Sequence, residues 1–206
     1  MRQEKIFQKW SVREIVTAVL MTVFTILLMF AGSSITMLNY DFAMIASGGF
    51  AVLPAAPAFM LMVLRVNRCG VMTVFTTLAS LLFCTIGNFA FMIPFYIIGG
   101  IALDLIFFRS EAMRQNVWYI TAAWTTFSGL YLLSTLLPFF LNLQAYIESL
   151  KNTNGMSQEY IDVFLRYFSN PVLVAGIAVL TMALDFLGSL IGQKLAHKHF
   201  EKANVL

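Results

Sequence analysis

Apolar residues run along this chain in long unbroken stretches, and the charged residues fall in short clusters between them. An ionised group inside hydrocarbon costs at least about 2.5 kcal/mol, so charges mark where each apolar stretch leaves the membrane. The first uncharged run, Ile15 to Tyr40, predicts a helix over 15–35, and the second, Phe42 to Leu64, predicts one over 42–64. The third, Cys69 to Leu103, is too long for one crossing and has the turn-forming Thr85-Ile86-Gly87-Asn88 near its middle. It divides into helices at 70–85 and 89–108. A fifth helix fits 117–140, ending near Pro138, and a sixth 171–196, with Pro171 tolerated in its first turn. Between them, 141–170 is polar and carries an Asn154-Gly155 turn. Its second half sets Tyr160, Phe164 and Tyr167 at i, i+4 and i+7, one face of a helix that lies on the membrane surface or folds over the bundle.

Composition agrees with this pattern. Of 206 residues, 60% are hydrophobic and 11% charged, against roughly a quarter charged in an ordinary soluble domain. A crossing takes about 20 residues at 1.5 Å rise each, so the chain holds six crossings and no separate soluble domain. The expected fold is all-α: one polytopic domain, 1–206, with six transmembrane helices.

The cations test that count independently. With six helices, Arg2, Lys5, Lys9, Arg13, Arg65, Arg68, Arg109, Arg114, Lys194, Lys198 and Lys202 share one side, and only Lys151 and Arg166 lie on the other. The excess of Lys and Arg on cytoplasmic loops makes the first side the cytoplasm and places both termini there. The basic start and first apolar run also resemble a secretory signal, but the run is long and no clear A-x-A site follows, so the first helix is expected to be retained. The pI of about 9.0 does not indicate nucleic acid, because the cations are spread as a topology signal rather than gathered with aromatics.

Reactive chemistry is sparse. Cys69 and Cys84 sit at or within apolar runs without CxxC or Cys/His spacing, which argues against a disulfide framework or a metal centre. There is no GxxxxGK[ST] loop, so the chain is not itself a nucleotide-driven motor, and no HExxH or GxSxG motif, so an enzyme is disfavoured. Both histidines, His197 and His199, lie in the tail. Two carboxylates fall inside helices, Asp104 and Asp185. A proton or cation relay is one reading; pairing with a nearby cation or helix end, such as Arg109 or Lys194, is the commoner one.

Ala18 and Thr22, with Thr25 one turn on, form a stripe of small residues on the first helix, and Gly188 with Gly192 makes a GxxxG on the sixth. Such stripes admit close helix approach, most often within the same bundle. The outer ends of the helices carry Met37, Asn39, Tyr40, Asn88, Met92, Tyr96, Phe139 and Asn142. As single residues these suit an aromatic belt; as a cluster they suit an apolar pocket with a few orienting polar groups.

The layout resembles the substrate-binding S component of an energy-coupling factor (ECF) transporter. The sharper likeness is the ending GSLIGQKLAHKHFEKANVL, similar to that of the bacterial Trep_Strep subgroup, where a Gly-rich last helix runs into a basic KKHFEKAG-like tail; here Asn204 replaces the usual glycine. Arg65-Val66-Asn67-Arg68-Cys69-Gly70 lies where the subgroup has a short basic loop. The resemblance implies a passive binding subunit in a bacterial cytoplasmic membrane. It takes a small-molecule substrate from outside and works with a transmembrane coupling protein and two ATPases, with no resident cofactor. The family's docking motif is two alanines four apart on the first helix, which maps onto Ala18 and Thr22. Vitamins are the typical substrates. Haem is a second candidate, although no His stands on the outer face to ligate it. Metal-importing members use an N-terminal His that this chain lacks, which argues against nickel or cobalt. A self-sufficient secondary transporter using Asp104 and Asp185, and a membrane enzyme or assembly factor, are the rival readings.

Overall fold

The structure, a computed structural model, describes residues 9–85, 92–152 and 155–200, with the side chains of 199 and 200 excepted. Every regular element among them is a helix: α1 (Val12–Thr36), α2 (Tyr40–Val66), α3 (Val71–Thr85), α4 (Met92–Phe107), α5 (Glu111–Gln115), α6 (Val117–Leu141), α7 (Leu143–Asn152), α8 (Gln158–Phe168) and α9 (Pro171–Phe200). Four are long and apolar enough to cross a membrane: α1, α2, α6 and α9 to Lys198. The apolar α3 and α4 are shorter, 15 and 16 residues, or about 22–24 Å at 1.5 Å per residue. The turn expected at Thr85-Ile86-Gly87-Asn88 falls largely outside the described residues.

Local chemistry sets the boundaries. The Ser11 hydroxyl accepts from the Glu14 amide while the Glu14 carboxylate accepts from the Ser11 amide, closing a capping box that starts α1. Asn39 caps α2 through its side-chain oxygen, and Asn67 ends that helix in the left-handed conformation, φ 45°. Asn142 both ends α6 and accepts from the Ala145 amide at the start of α7.

α2 is the central helix, packed against α1, α5, α6, α8 and α9. α1 and α2 run antiparallel in very close approach: a Cβ on Gly32 would lie 1.9 Å from the Phe50 carbonyl oxygen. α9 runs parallel to α2, with Gly188 against the Leu53 backbone and Gly192 against Pro57. The core is largely aromatic. Phe59 stacks on Trp124 at 4.5 Å and Trp124 on Phe127 at 5.0 Å, while Phe75 meets all three edge-on. The Trp124 indole donates to the Val52 carbonyl at 3.3 Å, which satisfies its polar edge within the core.

The two ends of the bundle differ in kind. At one, Arg68 pairs with Glu14 at 2.9 Å, Asn67 bridges Glu111 and Arg114, and the Trp10 indole donates to the Cys69 carbonyl. At the other, α7 and α8 fold over the helices, the Arg166 guanidinium donates to the Asp41 carboxylate, and Ser157 reaches the Tyr40 hydroxyl. Arg13, Arg65, Arg68, Arg114, Lys194 and Lys198 belong to the first end, and Lys151 and Arg166 to the second.

Candidate ligand-binding site

Segment 141–170 forms two helices, α7 and α8, with Gly155 between them at φ 62°; Asn154 of the expected turn lies outside the described residues. The face that α8 turns inward is Ile161, Phe164 and Phe168, with Tyr160 and Tyr167 on its flanks. The expected face is therefore rotated: the wholly apolar rings take the core, while Tyr167 sits at the edge with its hydroxyl bonded to Asp41 and Tyr160 lies edge-on to Tyr40. Phe164 and Phe168 pack with Met44, Leu136, Phe139 and Ile177 into a second hydrophobic cluster under the α7–α8 cover.

Within this region lies a cavity of about 130 Å³, reaching α2, α6, α7, α8 and α9. Its wall is aromatic and thioether: Met37, Met44, Tyr131, Tyr146, Tyr160 and Phe164. Ser47 and Thr135 add hydroxyls, and Gly48 lets α9 come close to α2, a Cβ there falling 3.2 Å from the Thr181 hydroxyl oxygen. Burial pushes the Tyr146 phenol up from its ordinary range, and that of Tyr160 likewise, with the neighbouring Tyr40 adding to it. Both phenols therefore stay protonated at neutral pH and able to donate. Among the described residues the lining carries no carboxylate, imidazole or amine, so it suits an uncharged or aromatic molecule held by ring contacts and a few hydroxyls. Leu132 and Phe168 are shared with a larger apolar groove of about 560 Å³ between α6 and α9.

The expected ligand residues divide. Met37 lines the cavity. Tyr40 stands behind it, edge-on to Tyr160 at 5.5 Å. Asn39 and Asn142 are helix caps, their side-chain oxygens taken by backbone amides. Met92 and Tyr96 are buried on α4 in the main core, where the Tyr96 hydroxyl and that of Ser134 lie 2.6 Å apart in a hydrogen bond. Asn88 lies outside the described residues. The residues that pattern reading missed are Tyr131, Tyr146, Ser47 and Thr135. None stands out locally; the aromatic density of α6 and of the α7–α8 segment was the available signal.

Ala18 and Thr22 are fully buried against α2, where the Thr22 hydroxyl meets the Met62 sulfur at 3.4 Å. The stripe takes part in the close α1–α2 approach, the packing within one bundle that such stripes most often mark. Of the two pairings expected for Asp104, a cation or a helix end, the structure shows the helix end: its carboxylate accepts from the Met72 and Thr73 amides and the Thr73 hydroxyl, at 3.2, 2.7 and 2.6 Å. It caps α3 from the side, a helix end serving as its counter-charge.

A protein-family model matches residues 12–202, described as Trep_Strep, hypothetical bacterial integral membrane protein. No curated protein and no solved structure matches the chain. Together with four membrane-length apolar helices, the match covers nearly the whole sequence: the chain belongs to the Trep_Strep family and is a bacterial, multi-pass membrane protein.

Proposed function

We propose that this chain is the substrate-binding membrane subunit of an ATP-driven ECF-type importer, taking a small organic nutrient at the end of the bundle covered by α7 and α8. The observation that carries the reading is the aromatic cavity under that cover, at the end opposite the cation-rich one. By the positive-inside rule the cation-poor end is external, so the cavity is placed to meet a solute arriving from outside. α3 and α4 complete six crossings, locally thinning the bilayer or leaving their ends in the headgroups, and both termini then lie in the cytoplasm. The wall of phenols, thioethers and hydroxyls suits a vitamin-like ligand. It offers no imidazole for haem iron.

A receptor of this kind depends on a separate coupling protein and two ATPases. Affinity purification of the tagged chain from its native membrane should recover an ATPase pair and a transmembrane partner in fixed stoichiometry. Native mass spectrometry of the same material should show a bound organic molecule. Recovery of the chain alone, with uptake that persists when ATP is depleted, would instead establish the self-sufficient transporter.

A further inference from the structure

Thr181, Asp185, Ser189 and Gln193 recur every fourth residue along α9 and so share one face. That face is turned into the bundle: Thr181, Asp185 and Ser189 are 1%, 0% and 1% exposed. At its lower end the polar groups are matched, with Gln193 donating to the Thr121 hydroxyl at 3.0 Å. Higher up they are not. Both carboxylate oxygens of Asp185 and the hydroxyls of Thr125 and Thr181 are buried with no hydrogen-bond partner among the described residues.

Thr125, on α6, is the polar side chain beside the Asp185 carboxylate. Thr181 lies one turn along α9, against Gly48 of α2. Elsewhere in the bundle, hydroxyls in helices return to a backbone carbonyl three or four residues back, as in Thr25, Ser80, Thr126, Ser128 and Ser134. Thr125 and Thr181 do not. Nor does a basic group answer the carboxylate among the described residues: α2 faces this part of α9 with Gly48, Gly49 and Leu53. α6 contributes Thr121 and Thr125. The nearest lysines on α9 itself, Lys194 and Lys198, begin more than two turns away.

We propose that Asp185, Thr125 and Thr181 form a binding site for one monovalent alkali cation of sodium's size. Carboxylate and hydroxyl oxygens are hard ligands, suited to such ions. One carboxylate is neutralised by one positive charge, whereas a divalent ion would leave an excess charge in an apolar bundle. A bound cation would neutralise a buried carboxylate beside which the described residues of α2 and α6 place glycine, leucine and threonine but no basic side chain. The sodium and acid arms of the test below separate it from a bound proton. Gly48 both lines the ligand cavity and touches Thr181, so the ion site adjoins the cavity and its occupancy is felt at the cavity wall. The site stands whichever module energises transport.

The test uses the full chain in nanodiscs at fixed pH and ionic strength, with choline chloride exchanged for sodium chloride. The melting temperature should rise saturably with sodium, by about 4 °C or more. The response should vanish in Asp185→Asn, persist in Asp104→Asn, and require about tenfold more sodium in Thr125→Val. The Thr125 variant keeps the assignment falsifiable if Asp185→Asn fails to fold. A melting temperature indifferent to sodium, or an equal response in Asp185→Asn and Thr125→Val, overturns the proposal. Acidification in sodium-free buffer that reproduces the full gain also overturns it, in favour of a proton.

Discussion

Gly32 and Gly188 are places where a single hydrogen atom decides helix packing. A Cβ at Gly32 would fall 1.9 Å from the Phe50 carbonyl oxygen, and one at Gly188 2.3 Å from that of Leu53, both rigid backbone. Gly32→Ala and Gly188→Ala should each destabilise the protein by about 1–3 kcal/mol, because whole helices must separate. Gly129→Ala and Gly176→Ala, where nothing lies within 4 Å, should be neutral; thermal unfolding in detergent checks the four together. The tyrosines divide in the same way. Tyr160 lines the cavity, so Tyr160→Ala should weaken equilibrium binding of the co-purified ligand by about 1–3 kcal/mol if a polar partner is left unpaired. Tyr96→Phe removes the hydrogen bond to Ser134, costing about 1 kcal/mol of stability with affinity unchanged. Equal losses of affinity in the two variants would displace the site towards α4.

At the scale of elements, α3 begins where Asp104 of α4 holds its first amides. Asp104→Ala leaves those amides and the Thr73 hydroxyl unpaired, and should cost about 1–3 kcal/mol; Asp104→Asn keeps one acceptor oxygen and should cost less. Hydrogen exchange should locate the loss at residues 71–73, with ligand affinity unaltered. α8 is held by its apolar face rather than by charge. Phe164→Ala removes a ring in contact with Phe139, Tyr146 and Phe168 and should cost about 3–5 kcal/mol, measured as unfolding free energy. The Arg166–Asp41 pair is exposed on both sides, so Arg166→Ala should change stability by less than about 1 kcal/mol. A larger loss from Arg166→Ala than from Phe164→Ala would mean that charge, not packing, holds the cover closed.

Over the whole molecule, the segregation of cations to one end makes a topological prediction. A cysteine at Glu111 should react with an impermeant maleimide only from the cytoplasm, and one at Asn152 only from outside; labelling of both from one side would refute the six-crossing arrangement. The native Cys69 should interfere little, since it is buried. Burial first, and then the Asp104 carboxylate, push its thiol up, so little thiolate is present at neutral pH.

What the chain determines by itself is whatever follows from its one-dimensional pattern. Apolar run length and charge placement identify a helical membrane protein, whereas Asn39 and Asn142, grouped by pattern with the ligand residues, turn out to be helix caps. The amphipathic, aromatic helix in the second half of 141–170 was likewise legible, but α7 and the folding of the segment over the bundle came from the structure. Only the tertiary structure decided which face of each helix turns inward. It spent Ala18 and Thr22 on α2, sent Tyr96 to Ser134, and gave Asp104 a helix end for a partner. In a bilayer the solvent is as apolar as the core, so hydrophobicity cannot tell an inward face from an outward one. That choice falls to steric fit and to polar contacts between residues far apart in sequence. The cavity is built from such contacts, with Met37 and Tyr131 brought beside Tyr160 by three different helices, and so is the unpaired carboxylate of Asp185 beside Thr125.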